Sequence, residues 1–149
     1  MKTHLTFYII CFFLILLLAS ANDKNTNTGT LEVQIKALES NQGSVMIAVY
    51  NNDKEYMKIE KSYLKKKISI LNQESKLSIT NLPFGKYAIV CFHDKNNNNK
   101  LDKNTFGIPK EGYGFSNDAK GSFGPPNFEK SSFNINKATY KITINMTYW

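Results

Sequence analysis

Apolar and polar residues alternate from Leu31 to Ala37. Leu31, Val33, Ile35 and Ala37 are interleaved with Glu32, Gln34 and Lys36. A period of two is the mark of a half-buried β-strand. After the turn residues Asn41-Gln42-Gly43, Val45, Ile47 and Val49 fall on one face, and Met46, Ala48 and Tyr50 on the other. A strand apolar on both faces belongs inside a sheet. Tyr87–His93 is the most apolar run beyond residue 21 and predicts a second central strand. Leu82-Pro83-Phe84-Gly85 turns the chain just before it, because Pro presets φ and Gly adopts conformations other residues avoid. Tyr140, Ile142, Ile144, Met146 and Tyr148 alternate with Lys141, Thr143, Asn145 and Thr147, the most regular strand pattern present. Ile68 and Ile70, Leu77 and Ile79, and Phe133 and Ile135 mark shorter strands. Asp53–Lys66 is ambiguous: Tyr56, Ile59, Tyr63 and Leu64 stand near helical spacing, so a short helix and an irregular crossover both fit. About seven strands, little helix and frequent turns predict an all-β fold, an antiparallel two-sheet β-sandwich.

The N-terminus changes this picture by adding a leader. Lys2 precedes the apolar run Phe7–Leu18, and Ala19-Ser20-Ala21 fits a small-x-small cleavage site. The run is shorter than the roughly 20 residues a membrane span requires. Residues 1–21 are therefore expected to be a signal peptide, 22–29 a polar flexible tether and 30–149 one β-sandwich domain. The protein is expected in the periplasm, on the outer surface or secreted, with no transmembrane segment after cleavage. Cys91 is then the one remaining cysteine, so no internal disulfide forms. Its place in an apolar strand predicts an inert buried thiol.

The 149 residues carry a formal charge of +7 and no Arg. Arg is the usual bidentate phosphate ligand. An exported chain without it is expected to bind no nucleic acid, and its lysines favour weak attraction to anionic cell-surface polymers.

Asp94-Lys95-Asn96-Asn97-Asn98-Asn99-Lys100-Leu101-Asp102 is the sharpest chemical feature. Asp94, Asn96, Asn98 and Asp102 match positions one, three, five and nine of a calcium loop, and Lys100 would offer its carbonyl at position seven. Position six is Asn99, where Gly is preferred, and position twelve is Thr105, where a bidentate Glu is usual. Glu111 or Asp118 is a candidate to complete the shell. An Asn-rich turn without metal fits the same residues.

The segment Gly107–Phe128 concentrates glycines and rings. Glu111, Tyr113, Phe115, Asn117 and Phe123 are candidate ligand-binding residues, since aromatic faces beside polar groups suit sugar or peptide. An ordered loop closing an open sheet end fits equally. Catalytic signals are sparse. Gly114-Phe115-Ser116-Asn117 lacks the second Gly of a nucleophile elbow. His93 is the one histidine beyond the leader, which excludes a His-rich zinc site. The expectation is a non-enzymatic exported module, calcium-stabilised, that binds a cell-envelope or extracellular ligand. The alternative is a hydrolase or lyase acting on an envelope polymer through Glu111, Asp118 and His93.

The run Leu82–Asp94, the Asn-rich loop to Asp102, Gly107–Ala119 and Phe123–Phe128 together resemble the bacterial exported family called domain of unknown function 2141. Gly43–Tyr50 fits as well. Members of that family often carry Gly where this chain has Asn97 and Asn99. The resemblance implies no agreed activity and no catalytic residues. The Leu-Pro-x-Gly-x-Tyr turn is more loosely similar to prealbumin-like and collagen-adhesin B-type sandwich domains, which implies a prealbumin-like or immunoglobulin-like strand arrangement.

Overall fold

The computed structural model describes residues 27–149. The leader and most of the expected tether lie outside the described residues. Thr28 and Gly29, assigned to the tether from sequence, are already in the first strand and pair with Pro83 and Leu82.

Among the described residues eight strands form two sheets. They are β1 (Thr28–Lys36), β2 (Ser44–Tyr50), β3 (Leu64–Ile68), β4 (Ser75–Pro83), β5 (Gly85–Asp94), β6 (Tyr113–Phe115), β7 (Ser132–Ile135) and β8 (Thr139–Asn145). The first sheet has the order β4–β1–β8. The second runs β3–β2–β5, and β6 and β7 share the far edge of β5. β6 pairs along Val90–Phe92 and β7 along Gly85–Ala88. Leu31, Val33 and Ile35 of β1 are buried in one core with Val45, Ile47 and Val49 of β2 and Ile89 of β5. The fold is thus the expected all-β sandwich.

One pairing departs from the all-antiparallel expectation: β1 and β8 run parallel. Direction is forced only where a tight hairpin joins two strands. The chain reaches β8 from β7 in the opposite sheet, so no hairpin constrains it. The β4–β5 connection also changes sheets, with Phe84 alone between the two strands. Pro83 lies at the end of the edge strand β4, where a missing N–H leaves no ladder bond unmade.

The outer face of the second sheet carries a smaller core of Ala48, Tyr50, Ala88 and Phe128, with Tyr56 and Val90 against it. The Tyr56 ring meets Tyr50 and Phe128 edge-on, at centroid distances of 5.3 and 5.6 Å. This second core is why β2 is apolar on both faces. Phe128 opens the one short α-helix among the described residues, α1 (Phe128–Ser131), where the Asn127 side chain accepts the Lys130 N–H at 3.0 Å. The Asp53–Lys66 stretch forms a 3₁₀ turn at Ile59–Lys61 with no buried residue. Its apolar positions do not share one face, because Tyr56 is drawn under α1 while Tyr63 meets Tyr87.

Candidate functional site

β5 ends at Asp94, and the loop that follows folds around its own side-chain oxygens. Asp94 is fully buried. Its Oδ1 accepts the N–H of Asn98 at 3.0 Å, and its Oδ2 that of Asn99 at 2.9 Å. Asn96 and Asn98 accept the N–H groups of Asn98 and Lys100. Asp102 accepts the side-chain amides of Asn96 at 2.7 Å and Asn98 at 3.1 Å. The Lys67 ammonium lies 3.7 Å from Asp94 and donates to Asn99 at 3.0 Å, so a cation of the protein itself already faces the buried carboxylate. Asn97 and Asn99 have φ of 58° and 62°, left-handed values that Asn tolerates and Gly adopts freely. Gly43 packs from β2's side with φ of 77°, and a Cβ there would stand 2.1 Å from the Asp94 carbonyl oxygen. Among the described residues no three His, Cys, Asp or Glu side chains gather as a metal-holding group.

Glu111 closes the loop from outside. It is buried, and its two oxygens accept the N–H groups of Lys95 at 2.9 Å and Asp102 at 3.0 Å. One carboxylate therefore ties the two ends of the loop together. No sequence pattern announces this role, because the contacts lie 16 and 9 residues away.

The residues of the catalytic alternative are each held elsewhere. His93 is fully buried. Its Nε2 donates to the Gln42 carbonyl at 2.7 Å, and its Nδ1 accepts the Tyr148 hydroxyl at 2.8 Å. The donor role of Nε2 follows from the carbonyl, which can only accept. Tyr148 also accepts the Glu39 N–H at 3.2 Å, and burial holds its phenol above the ordinary tyrosine range. A Cβ on Gly112 would stand 2.3 Å from the Tyr148 ring, so this packing requires glycine. Asp118 accepts the backbone N–H of Asn145 at 2.8 Å and its side-chain amide at 2.7 Å. Burial pushes the Cys91 thiol up to about 12, so it presents no thiolate.

A cleft of about 640 Å³ opens beside these loops. The register pairs Val90 with Phe115 and Phe92 with Tyr113, which places all four side chains on one sheet face as its floor. The Tyr113 and Phe115 rings meet edge-on at 5.9 Å. Pro109, Pro125 and Pro126 form walls, and Lys103, Asp118 and Lys120 supply charge. Of the candidate ligand-binding residues, Tyr113 and Phe115 line this cleft. Glu111 turns into the acidic loop. Asn117 donates to the carbonyls of Lys130 and Ser132, fastening the end of α1. Phe123 stands fully exposed, between the lining residues Ser122 and Gly124. Of Glu111, Asp118 and His93, Asp118 alone reaches the cleft. Sequence reading missed Lys103, Lys120 and Trp149 as lining residues, since they come from separate segments joined only by the fold.

No curated protein matches the chain. Its structure is similar to the crystal structure of a fimbrial assembly protein from Parabacteroides distasonis, with a TM-score of 0.43 and 9% sequence identity. The match covers 81% of this chain and 53% of that one, so this chain spans about half the length of its neighbour. So loose a likeness carries no argument. Among the described residues no helix is long and apolar enough to cross a membrane. The family described as "Uncharacterized protein conserved in bacteria (DUF2141)" matches residues 33–143, which takes in the smaller core, most of the main core, the acidic loop and most of the cleft. The chain belongs to this family of bacterial proteins.

Proposed function

We propose that this is an exported, non-enzymatic binding module whose cleft holds a cell-envelope or extracellular ligand. The observation that carries it is the cleft floor: the rings of Phe92, Tyr113 and Phe115 and the aliphatic Val90 on one sheet face, with Lys103 and Lys120 among the lining residues. Concave, mostly apolar sites with a few polar groups are the usual form of ligand pockets. The side chains that would run a hydrolase or lyase support binding instead, because Glu111, His93 and Asp118 are engaged by separate backbone and side-chain partners. The test is retention of the chain on insoluble peptidoglycan and on alginate beads, compared with Tyr113→Ala. Retention that falls about tenfold in the variant (about 1.4 kcal/mol) is expected. Equal retention of both proteins, or none of either, overturns the proposal.

A calcium ion in the loop Asp94–Asp102 is a second proposal, supported by one observation. Asp102 lies 2.7 and 3.1 Å from the amide nitrogens of Asn96 and Asn98. A half-turn of either amide exchanges nitrogen for oxygen and gathers oxygens of the kind calcium takes. The cost is the bond each amide oxygen now makes to the loop. Thermal unfolding in calcium, in magnesium and in chelator tests it, since a ligand of the folded state raises the midpoint by mass action. A rise specific to calcium is expected. Identical midpoints at millimolar calcium mean that the hydrogen bonds and Lys67 hold the loop alone.

A further inference from the structure

Among the described residues nine large apolar side chains are exposed; two of them line one cleft and three more are chain neighbours of its lining residues. Met57 and Trp149 line it, Phe106 and Ile108 flank the lining residue Gly107, and Phe123 projects between Ser122 and Gly124. Phe106 is 87% exposed, Trp149 83%, and Phe123 fully. Exposed apolar residues scattered singly are ordinary; a contiguous group marks an interaction surface.

Ordered turns hold these rings out. The Asn104 carbonyl oxygen of the side chain accepts the N–H of Phe106 at 2.9 Å and of Ile108 at 3.0 Å. Gly107 closes the same turn by donating to the Asn104 backbone carbonyl at 3.0 Å. Phe123 stands in a turn so tight that a Cβ on Gly121 would be 2.1 Å from the Gly124 carbonyl oxygen. The chain thus builds two small turns that display hydrocarbon to solvent.

We propose that this rim docks onto an anionic lipid membrane. Phe106, Ile108 and Phe123 carry no side-chain donor or acceptor, and exposed hydrocarbon of this kind suits an acyl layer. Trp149, apolar with one N–H, suits the headgroup boundary. Lys103 and Lys120 line the same cleft, and neither enters an ion pair among the described residues. The carboxylate lining the cleft with them, Asp118, is held by Asn145. Two unpaired ammonium groups beside apolar tips match a surface of phosphate headgroups over hydrocarbon, and the formal charge of +7 draws the chain to it. Docking shares Lys103 and Lys120 with the cleft-ligand proposal but rests on the exposed tips Phe106, Ile108 and Phe123, which are not lining residues of the cleft.

Trp149 is the single tryptophan and reports its own surroundings. The full chain is mixed with vesicles containing phosphatidylglycerol, with pure phosphatidylcholine vesicles, and with alginate. The apolar residues 7–18 are common to every variant, so the readout is the Trp149 emission and its quenching by brominated acyl chains rather than sedimentation. A blue shift and quenching with phosphatidylglycerol are expected. Phe106→Ser with Phe123→Ser should weaken the titration about 100-fold, tenfold for each ring, with the unfolding midpoint unchanged because both side chains are exposed. Lys103→Glu with Lys120→Glu should abolish the preference for phosphatidylglycerol over phosphatidylcholine. Tyr113→Ala, a change to the cleft floor, should leave docking intact even where it lowers retention on polymer. Absence of a shift, a shift that survives both serines, or a Trp149 response to alginate alone overturns the proposal.

Discussion

Glu111 shows how much one buried side chain can organise. Its two oxygens hold N–H groups at opposite ends of the acidic loop. A hydrogen bond to a charged acceptor contributes about 1.5–3 kcal/mol, and a stranded buried donor costs a comparable amount. Glu111→Gln keeps the shape but turns one acceptor into an NH₂ group that must face another N–H. The expected loss is about 2–3 kcal/mol, read as a lower urea midpoint. An unchanged midpoint would show that the loop holds without its staple. Asp94 is bound from within the loop by the same chemistry, and Lys67 offsets part of its buried charge.

At the scale of elements, two phenylalanines five residues apart separate packing from display. Phe128 anchors α1 into the outer core, whereas Phe123 touches solvent on all sides. Phe128→Ala is expected to cost about 3–5 kcal/mol. Phe123→Ser should stay within about 0.5 kcal/mol of wild type. Chemical unfolding of the two variants side by side checks both values; similar losses would mean that Phe123 packs after all. The strands legible in the sequence are β1, β2 and β8 by their alternation, β5 by its apolar run, and β4 and β7 by the pairs Leu77 and Ile79, and Phe133 and Ile135. β6, at three residues, is too short for any period, yet it places Tyr113 and Phe115 on the cleft floor. The left-handed sites at Asn97 and Asn99 were readable from residue type, because few side chains tolerate that backbone. The roles of Glu111 and Asn117, and the parallel β1–β8 pair, depend on long-range contacts that leave no local pattern.

For the molecule as a whole, burial makes the fold sensitive to alkali. Burial, with the nearby Tyr56, pushes the Tyr50 phenol up to about 12 from 10.0, and burial also raises Tyr56, Tyr87 and Tyr148. Cys91 rises to about 12 from 9.0 for the same reason. Each group holds its proton more tightly folded than unfolded. Their contribution to stability is therefore complete below about pH 9 and is lost as pH rises towards 12. Urea midpoints should fall across that window, with tyrosinate absorbance appearing together with unfolding. A flat profile from pH 9 to 12 would rule this out.

The parallel pair β1–β8 bears on how the chain answers a pull. Seven residue pairs lie in register between these strands, from Thr30–Thr139 to Lys36–Asn145. Because the strands point the same way, the start of β1 and the finish of β8 are at opposite ends of the ladder. Tension between those two points loads the seven pairs together in shear rather than peeling them one by one. Resistance to such tension is set by the unfolding barrier and not by equilibrium stability. Pulled between these two points, the sandwich is therefore expected to resist more than it would along a direction that opens the ladder pair by pair.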